Sequence, residues 1–265
     1  MEEKLKKLLD YLRDCGSLVI ALSGGVDSST LAYAAKMALG EKVVAITAQS
    51  ELLSGDELAD AKAMAEKAGV RHIIVEAHDL DNPDICMNDG QRCYYCKRGR
   101  FQKLVDFAKK EGFAFVADGG NLDDFGDYRP GLKAIEELAP VVISPFMVCG
   151  WNKADIRRQA QAWGLSVWDK PSAACLASRI EYGISLTPER LRQVEQAEII
   201  LRPYVSGQLR VRHHGSLARI EADPSCFETL LENREIVTKE LRKLGYQYVT
   251  LDLIGYRMGS INEVL

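Results

Sequence analysis

The chain has 265 residues, enough to bury one large core or two smaller ones, and its 34 basic and 38 acidic side chains leave a net charge of −4. That balance argues against a protein that wraps nucleic acid electrostatically, and the longest apolar runs, "SLVIAL" and "VVAITA", are strand-sized and too short to cross a bilayer. With a charged N-terminus in place of an export signal, a reducing cytoplasm is the expected compartment, where seven cysteines are thiols, metal ligands or catalysts and seldom structural disulfides.

In chain order, "MEEKLKKLLDYL" reads as an amphipathic helix, with Leu5, Leu8, Leu9 and Leu12 at helical spacing. "SLVIAL" is a buried strand, "SSTLAYAAKMAL" a helix, "KVVAITA" a second strand, "SGDELADAKAMAEKAG" a second helix and "RHIIVEA" a third strand. "CKRGRFQKLVDFAKKEG" is helical and "FAFVADG" is a fourth strand. Short apolar strands alternating with helices of this length predict an α/β fold, a parallel sheet with helices on both faces and its sites at the carboxyl ends of the strands.

The pattern changes near residue 180, which divides the chain into expected domains 1–180 and 181–265. "TPERLRQVEQAEIILRPY" opens with Thr187 as N-cap and Pro188 at the first helical position. "LRVRHH" and "LARIEAD" read as adjacent strands, a helix is expected from about Ser225 to Leu244, and "YQYVTLDLIG" is a last strand. This second part is a smaller α+β unit, expected to bind substrate and to support oligomerisation.

"ALSGGVDSST" leaves the first strand and enters the first long helix, where a glycine-rich turn aims backbone N–H groups at an anion. Gly24 and Gly25 permit close backbone approach, and Ser23, Ser28 and Ser29 add hydroxyls. The loop lacks the Gly-Lys-Ser/Thr ending of a triphosphate loop and carries Asp27, a carboxylate that would repel phosphates unless Mg²⁺ lay between. It therefore suits pyrophosphate as a leaving group better than γ-phosphate transfer. The stretch resembles the SGGxDS loop of the adenine-nucleotide α-hydrolase-like ATP pyrophosphatases. That resemblance implies cleavage of ATP between its α and β phosphates, with Ser23, Gly24, Gly25, Asp27 and Ser28 on the pyrophosphate and Asp27 sharing Mg²⁺. It also implies adenine near Thr47 to Gln49. "ADGGNLDD", with Asp118 to Asp124, resembles a second nucleotide-side segment, although its carboxylates are equally at home as turn residues.

Cys93 and Cys96 form C-x-x-C in "RCYYCKRGRF" at the start of a basic helix, and Cys175 stands alone in "DKPSAACLASR", where Pro171 discourages helix and Ser172, Ala173 and Ala174 offer little apolar cover. Cys15, Cys86, Cys149 and Cys226 have no partner at ligand spacing and read as packing residues. C-x-x-C alone fits a redox dithiol, half a zinc site or two cluster ligands. The helix N-terminus, Lys97 and Arg98 favour thiolate over thiol. Three thiolates on a 4Fe-4S cluster would leave one iron open to an extra ligand such as hydrosulfide.

The whole chain resembles the LarE family, the pyridinium-3,5-bisthiocarboxylate mononucleotide synthases, through "ALSGGVDSS", "CYYCK", "KPSAACLASRI", the "VEQAE" helix and "LRVRHHG". The resemblance implies adenylation of a carboxylate on a nicotinate-derived pyridinium mononucleotide, then sulfur delivery to give the thiocarboxylate of a nickel-pincer nucleotide, the cofactor of lactate racemase. Cys175 would handle sulfur, either surrendering its own and ending as dehydroalanine or ligating a cluster with Cys93 and Cys96; the presence of all three favours the cluster. Arg179 would stabilise the adenylate or the carboxylate. Lys97, Ser178, Arg210 and Arg212 would bind substrate, and Glu198 and Glu221 would supply a further metal site. Independently of any resemblance, Arg210 and Arg212 alternate on a strand and so share a face, which suits phosphate or a solvated edge. A homo-oligomer is implied, a hexamer among the candidate states, with no membrane or nucleic-acid partner expected.

Three other readings stay open. A tRNA thiolation enzyme should add an RNA-binding module or a basic face. An amidating pyrophosphatase would explain the loop and leave the cysteines idle, and a non-catalytic ATP-binding module would release no pyrophosphate.

Overall fold

A computed structural model describes residues 1–126, 130–171 and 174–264. Its elements in chain order are α1 (Glu2–Asp14), β1 (Leu18–Ala21), α2 (Val26–Leu39), β2 (Val43–Gln49), α3 (Gly55–Ala68), β3 (Arg71–Glu76), α4 (Pro83–Cys86), α5 (Arg92–Glu111) and β4 (Phe115–Ala117). There follow α6 (Pro130–Glu136), β5 (Val142–Ile143), α7 (Pro145–Val148), α8 (Lys153–Ala162), α9 (Pro188–Leu201), β6 (Leu209–His214), β7 (Leu217–Ala222), α10 (Phe227–Glu232), α11 (Arg234–Lys243) and β8 (Tyr248–Leu251). They divide between two compact units: Met1–Ala77 with Cys93–Ala173, and His78–Arg92 with Ala174–Leu265. No helix among the described residues is long and apolar enough to cross a membrane.

The first unit is the expected parallel sheet, in the order β3-β2-β1-β4-β5. Its strands alternate between two cores. Leu18, Ile20, Val43 and Ala45 pack in one cluster with Leu8 and Leu12 of α1, Leu31 and Ala35 of α2 and Ile156 of α8. Val19, Val44, Ile46 and Val116 pack in the other with Phe101, Leu104 and Val105 of α5. A sheet covered on both faces needs apolar residues at successive positions, which is why these strands read as continuous runs. Strand order reverses between β1 and β4, so a crevice opens at their carboxyl ends, the usual ligand position in such sheets.

The second unit holds a three-stranded sheet, β6-β7-β8, with β6 antiparallel and β8 parallel to β7. Thr187 caps α9 by accepting from Arg190 N at 3.3 Å, with Pro188 at the first position as the sequence indicates. The single helix expected from Ser225 to Leu244 is instead two, α10 and α11, broken at Asn233, whose Nδ2 donates to Thr229 O at 2.8 Å. Asn233 itself leaves helical geometry, at φ −96° and ψ 12°, where the apolar spacing alone would continue the helix. The last strand stops at Leu251 because Asp252 accepts from Ile254 N at 2.9 Å and turns the chain. The two-residue β5 was not anticipated, being too short to show a period.

Candidate functional site

In the first unit, the Ser23–Ser28 loop occupies the crevice after β1. It braces itself: Ser28 Oγ accepts from Ser23 N at 3.1 Å, lies 3.1 Å from Ser23 Oγ and donates to Gly25 O at 3.3 Å. Gly25 precedes α2 and no side chain caps the helix, so its first N–H groups remain available to an anion. Gly24 is required twice over. Its φ is +76°, and a Cβ there would meet Ala61 N at 2.7 Å and Glu57 O at 2.8 Å. Gly119, in the turn after β4, approaches the same helix end; its Cβ would stand 3.0 Å from Ser28 N.

Asp27 is the electrostatic centre of this loop. Its Oδ2 pairs with Lys153 Nζ, while its Oδ1 is buried and has no hydrogen-bond partner. Burial pushes the carboxyl above its ordinary value, Lys153 pulls it back, and Asp124 adds to the rise. A buried, unpartnered carboxylate oxygen beside an anion-binding helix end is a fitting ligand for Mg²⁺ travelling with ATP. Lys153 was not anticipated: it heads α8, and its own N donates to Asp123 Oδ2 at 2.9 Å. Lys170 pairs with Asp60, whose Cβ lies 3.1 Å from the place a Gly24 Cβ would take. Two lysines thus flank a loop that contains none, and nothing in their sequence spacing signals it.

Thr47, expected beside adenine, is 2% exposed. Its hydroxyl donates to Leu22 O at 2.7 Å and lies 2.8 Å from His72 Nε2, so the side chain is already engaged. Asp118 accepts from Ser144 Oγ at 2.6 Å, Gly120 N at 3.1 Å and Lys97 Nζ at 3.0 Å. Two expected ligand-binding residues, Asp118 and Lys97, therefore hold each other. Cys93 and Cys96 sit in the first turn of α5, where a spacing of three puts both on one face. Cys93 is exposed and Cys96 half-buried.

The second unit contains Cys175, half-buried, opening a 3₁₀ turn at Leu176–Arg179. Ser172 and Ala173, read as its poor apolar cover, lie outside the described residues. The Cys175 carbonyl accepts from Ser178 N at 2.9 Å, Ser178 Oγ at 2.7 Å and Arg179 Nη1 at 3.0 Å. Arg179 also donates to Ala174 O and forks onto Glu198 at 2.9 and 3.1 Å. Glu198 in turn accepts from Val211 N at 3.1 Å. The turn bearing the thiol is thereby tied to α9 and β6.

Arg210 and Arg212 are both buried on β6. Arg212 donates from Nε and Nη2 to Glu221 Oε2 at 3.0 and 2.8 Å and from Nη1 to Ser178 O at 2.8 Å. Glu221, wholly buried, also pairs with Arg219 at 3.0 Å and accepts from Ser260 Oγ at 2.8 Å. Burial, then the nearby Arg179, pull the Arg210 pKa down, and Glu198 opposes them; its guanidinium carbon lies 5.5 Å from the Tyr256 ring centroid. A metal ion at Glu198 or Glu221 would have to displace a guanidinium. Thiolates are the donors an iron–sulfur cluster takes, but among the described residues no group of three or more His, Cys, Asp or Glu is arranged to hold a metal ion.

A family model described as NAD synthase matches residues 1–111. The chain is 39% identical over 267 residues to an uncharacterized protein of Synechocystis, covering all of this chain and 99% of that one. It is 36% identical over 263 residues to the pyridinium-3,5-bisthiocarboxylic acid mononucleotide synthase of Lactiplantibacillus plantarum, covering 99% of this chain and 95% of that protein. Over 192 residues it is 27% identical to the tRNA-specific 2-thiouridylase of Rickettsia felis, covering 59% of this chain and 52% of that enzyme.

Proposed function

Because the chain belongs to the family of the pyridinium-3,5-bisthiocarboxylic acid mononucleotide synthases, among the pyrophosphate-loop ATP pyrophosphatases, we propose that it inserts sulfur into a pyridinium-3,5-biscarboxylic acid mononucleotide at the expense of ATP, on the way to the nickel-pincer nucleotide of lactate racemase. The likeness over almost the full length of both chains carries this reading.

In the first step a substrate carboxylate oxygen attacks the α-phosphorus of ATP, and the bond to the β-phosphate oxygen breaks. Ser23, Gly24, Gly25, Ser28 and the open end of α2 hold the departing pyrophosphate, with Asp27 on Mg²⁺ and Lys153 supplying positive charge as the leaving group forms. Asp118 and Lys97 line the nucleotide side, and Thr47 shapes the adenine end of β2. In the second step sulfur bonds to the carbonyl carbon and the carbon–oxygen bond to AMP breaks, so AMP leaves and the thiocarboxylate remains. Arg210, buried on the strand face it shares with Arg212, takes a substrate phosphate, with Arg212 bonded to Ser178 on the same side. Cys175 handles the sulfur in a turn held by Arg179.

The C-x-x-C on α5 supports a cluster held by Cys93, Cys96 and Cys175 over sacrifice of Cys175 alone. Such a group, when bound, would supply an iron open to hydrosulfide. Iron and acid-labile sulfide in protein prepared without oxygen separate the two routes. Near-stoichiometric four-iron content, lost on Cys93→Ala or Cys175→Ala, supports the cluster. Iron-free protein whose Cys175 loses hydrogen sulfide in one turnover supports sacrifice, with Cβ–Sγ cleavage leaving dehydroalanine. Failure of the carboxylated nucleotide to elicit pyrophosphate from ATP would overturn the function itself.

A further inference from the structure

One buried polar cluster in the second unit has no part in the chemistry above. Asn88 is wholly buried and takes φ +55°, a left-handed conformation that asparagine tolerates better than most residues. Its Nδ2 donates to Glu181 O at 2.9 Å and Ile184 O at 2.8 Å, and its own carbonyl accepts from Gly183 N at 3.0 Å. Its Oδ1 accepts from Arg92 Nη1, which also donates to Ala177 O at 3.1 Å. Arg92 is 3% exposed, with its guanidinium carbon 5.2 Å from the Tyr182 ring centroid. Leu186 N donates to Cys86 O at 2.9 Å. Residues 86–92 and 177–186 are thus laced together by buried hydrogen bonds.

A buried guanidinium is a costly way to join two segments that apolar side chains could join as well, unless it fixes a geometry that apolar packing would not specify. The two joined segments are those next to the proposed sulfur chemistry. Arg92 directly precedes Cys93 and begins α5, while Ala177 lies two residues beyond Cys175 in the turn Cys175 opens.

We propose that Asn88 and Arg92 are positioning residues for the sulfur-transfer step, holding in place the turn that carries Cys175. The inference rests on Cys175 handling sulfur. The clamp shares no residue with the pyrophosphate loop, so loosening it leaves adenylation intact. The acyl adenylate then waits for sulfur, and water takes it: the water oxygen bonds to the carbonyl carbon, AMP leaves, and the starting carboxylate returns. The signature is uncoupling.

The test measures pyrophosphate and thiocarboxylate in the same reaction, with full-length protein prepared without oxygen, ATP, Mg²⁺, the pyridinium biscarboxylate mononucleotide and hydrosulfide. Arg92→Lys keeps the charge but loses the planar guanidinium whose Nη1 donates to both Asn88 Oδ1 and Ala177 O. Asn88→Gly relieves the backbone and deletes the amide. In both variants the ratio of pyrophosphate to thiocarboxylate rises about tenfold, the scale of a modest misplacement of reacting groups, while the pyrophosphate rate stays within about twofold. An unchanged ratio, an equal fall in both products, or failure of both variants to fold would overturn the inference and leave the clamp structural. Wild-type protein that releases no pyrophosphate, or releases it without thiocarboxylate, sinks the functional reading instead and the clamp's role with it.

Discussion

Lys153, the first residue of α8, closes an ion pair with Asp27, the second residue of α2, across 126 residues of chain. The pair puts a cation where the loop itself has none and leaves the other Asp27 oxygen without a partner. Lys153→Met therefore lowers the rate of ATP-dependent pyrophosphate release about a hundredfold, the effect of deleting one preorganised charge from a transition state. Lys153→Arg retains part of it. Initial rates at saturating ATP check both; a wild-type rate in Lys153→Met would remove Lys153 from the site.

Asp27 also has a signature in stability. Its folded pKa is raised by burial above the ordinary 3.8, so the folded state binds its proton more tightly than the unfolded chain. Its contribution to stability is fully present below 3.8 and is lost as pH rises through the elevated folded value. Asp27→Asn has no proton to release. Urea unfolding from about pH 4 to about pH 7 should show wild type losing ground to the variant as pH rises. A difference constant in pH would contradict the burial of that charge.

Gly24→Ala and Gly25→Ala separate backbone demand from mere proximity. The first places a Cβ 2.7 Å from Ala61 N at φ +76°, whereas the second meets nothing closer than Ser23 Oγ at 3.4 Å. Gly24→Ala costs about 1–3 kcal/mol and distorts the loop, while Gly25→Ala costs less. Denaturant midpoints alongside pyrophosphate rates give the comparison.

The Arg179–Glu198 pair is nearly buried, with 7% and 12% of the two side chains exposed. Breaking such a pair from one side costs about 3–5 kcal/mol, because the remaining charge is stranded. Glu198→Leu and Arg179→Met singly should each approach that loss, while the double variant recovers much of it. Only the Arg179 variants should also loosen the Cys175 turn, read as faster alkylation of Cys175 followed by peptide mass.

His213 supplies the opposite pH dependence. Burial lowers its pKa below 6.5, and its Nδ1 accepts from Gly215 N at 3.2 Å, so the folded state favours the neutral ring. The stability it confers is complete above 6.5 and is lost as pH falls toward the depressed folded value. His213→Phe, whose ring can still pack on Tyr246, should flatten that decline in the thermal midpoint measured against pH.

Local chemistry was enough to read much of this protein from its sequence. Continuous apolar strands alternating with helices required a sheet covered on both faces. Gly24 and Gly25 marked a tight turn into the first long helix, where Gly24 takes φ +76°, and Thr187 with Pro188 marked the start of α9. Pairings between distant segments were decided only by the tertiary structure. Lys153 on Asp27, Lys97 on Asp118, Arg179 on Glu198 and Arg92 on Ala177 join residues from different turns and helices. Periodicity reports which face of an element is apolar, but it carries no record of which charged group from another element will be folded against it. The same limit applies at Asn233, where the backbone leaves helical geometry within an otherwise regular apolar pattern.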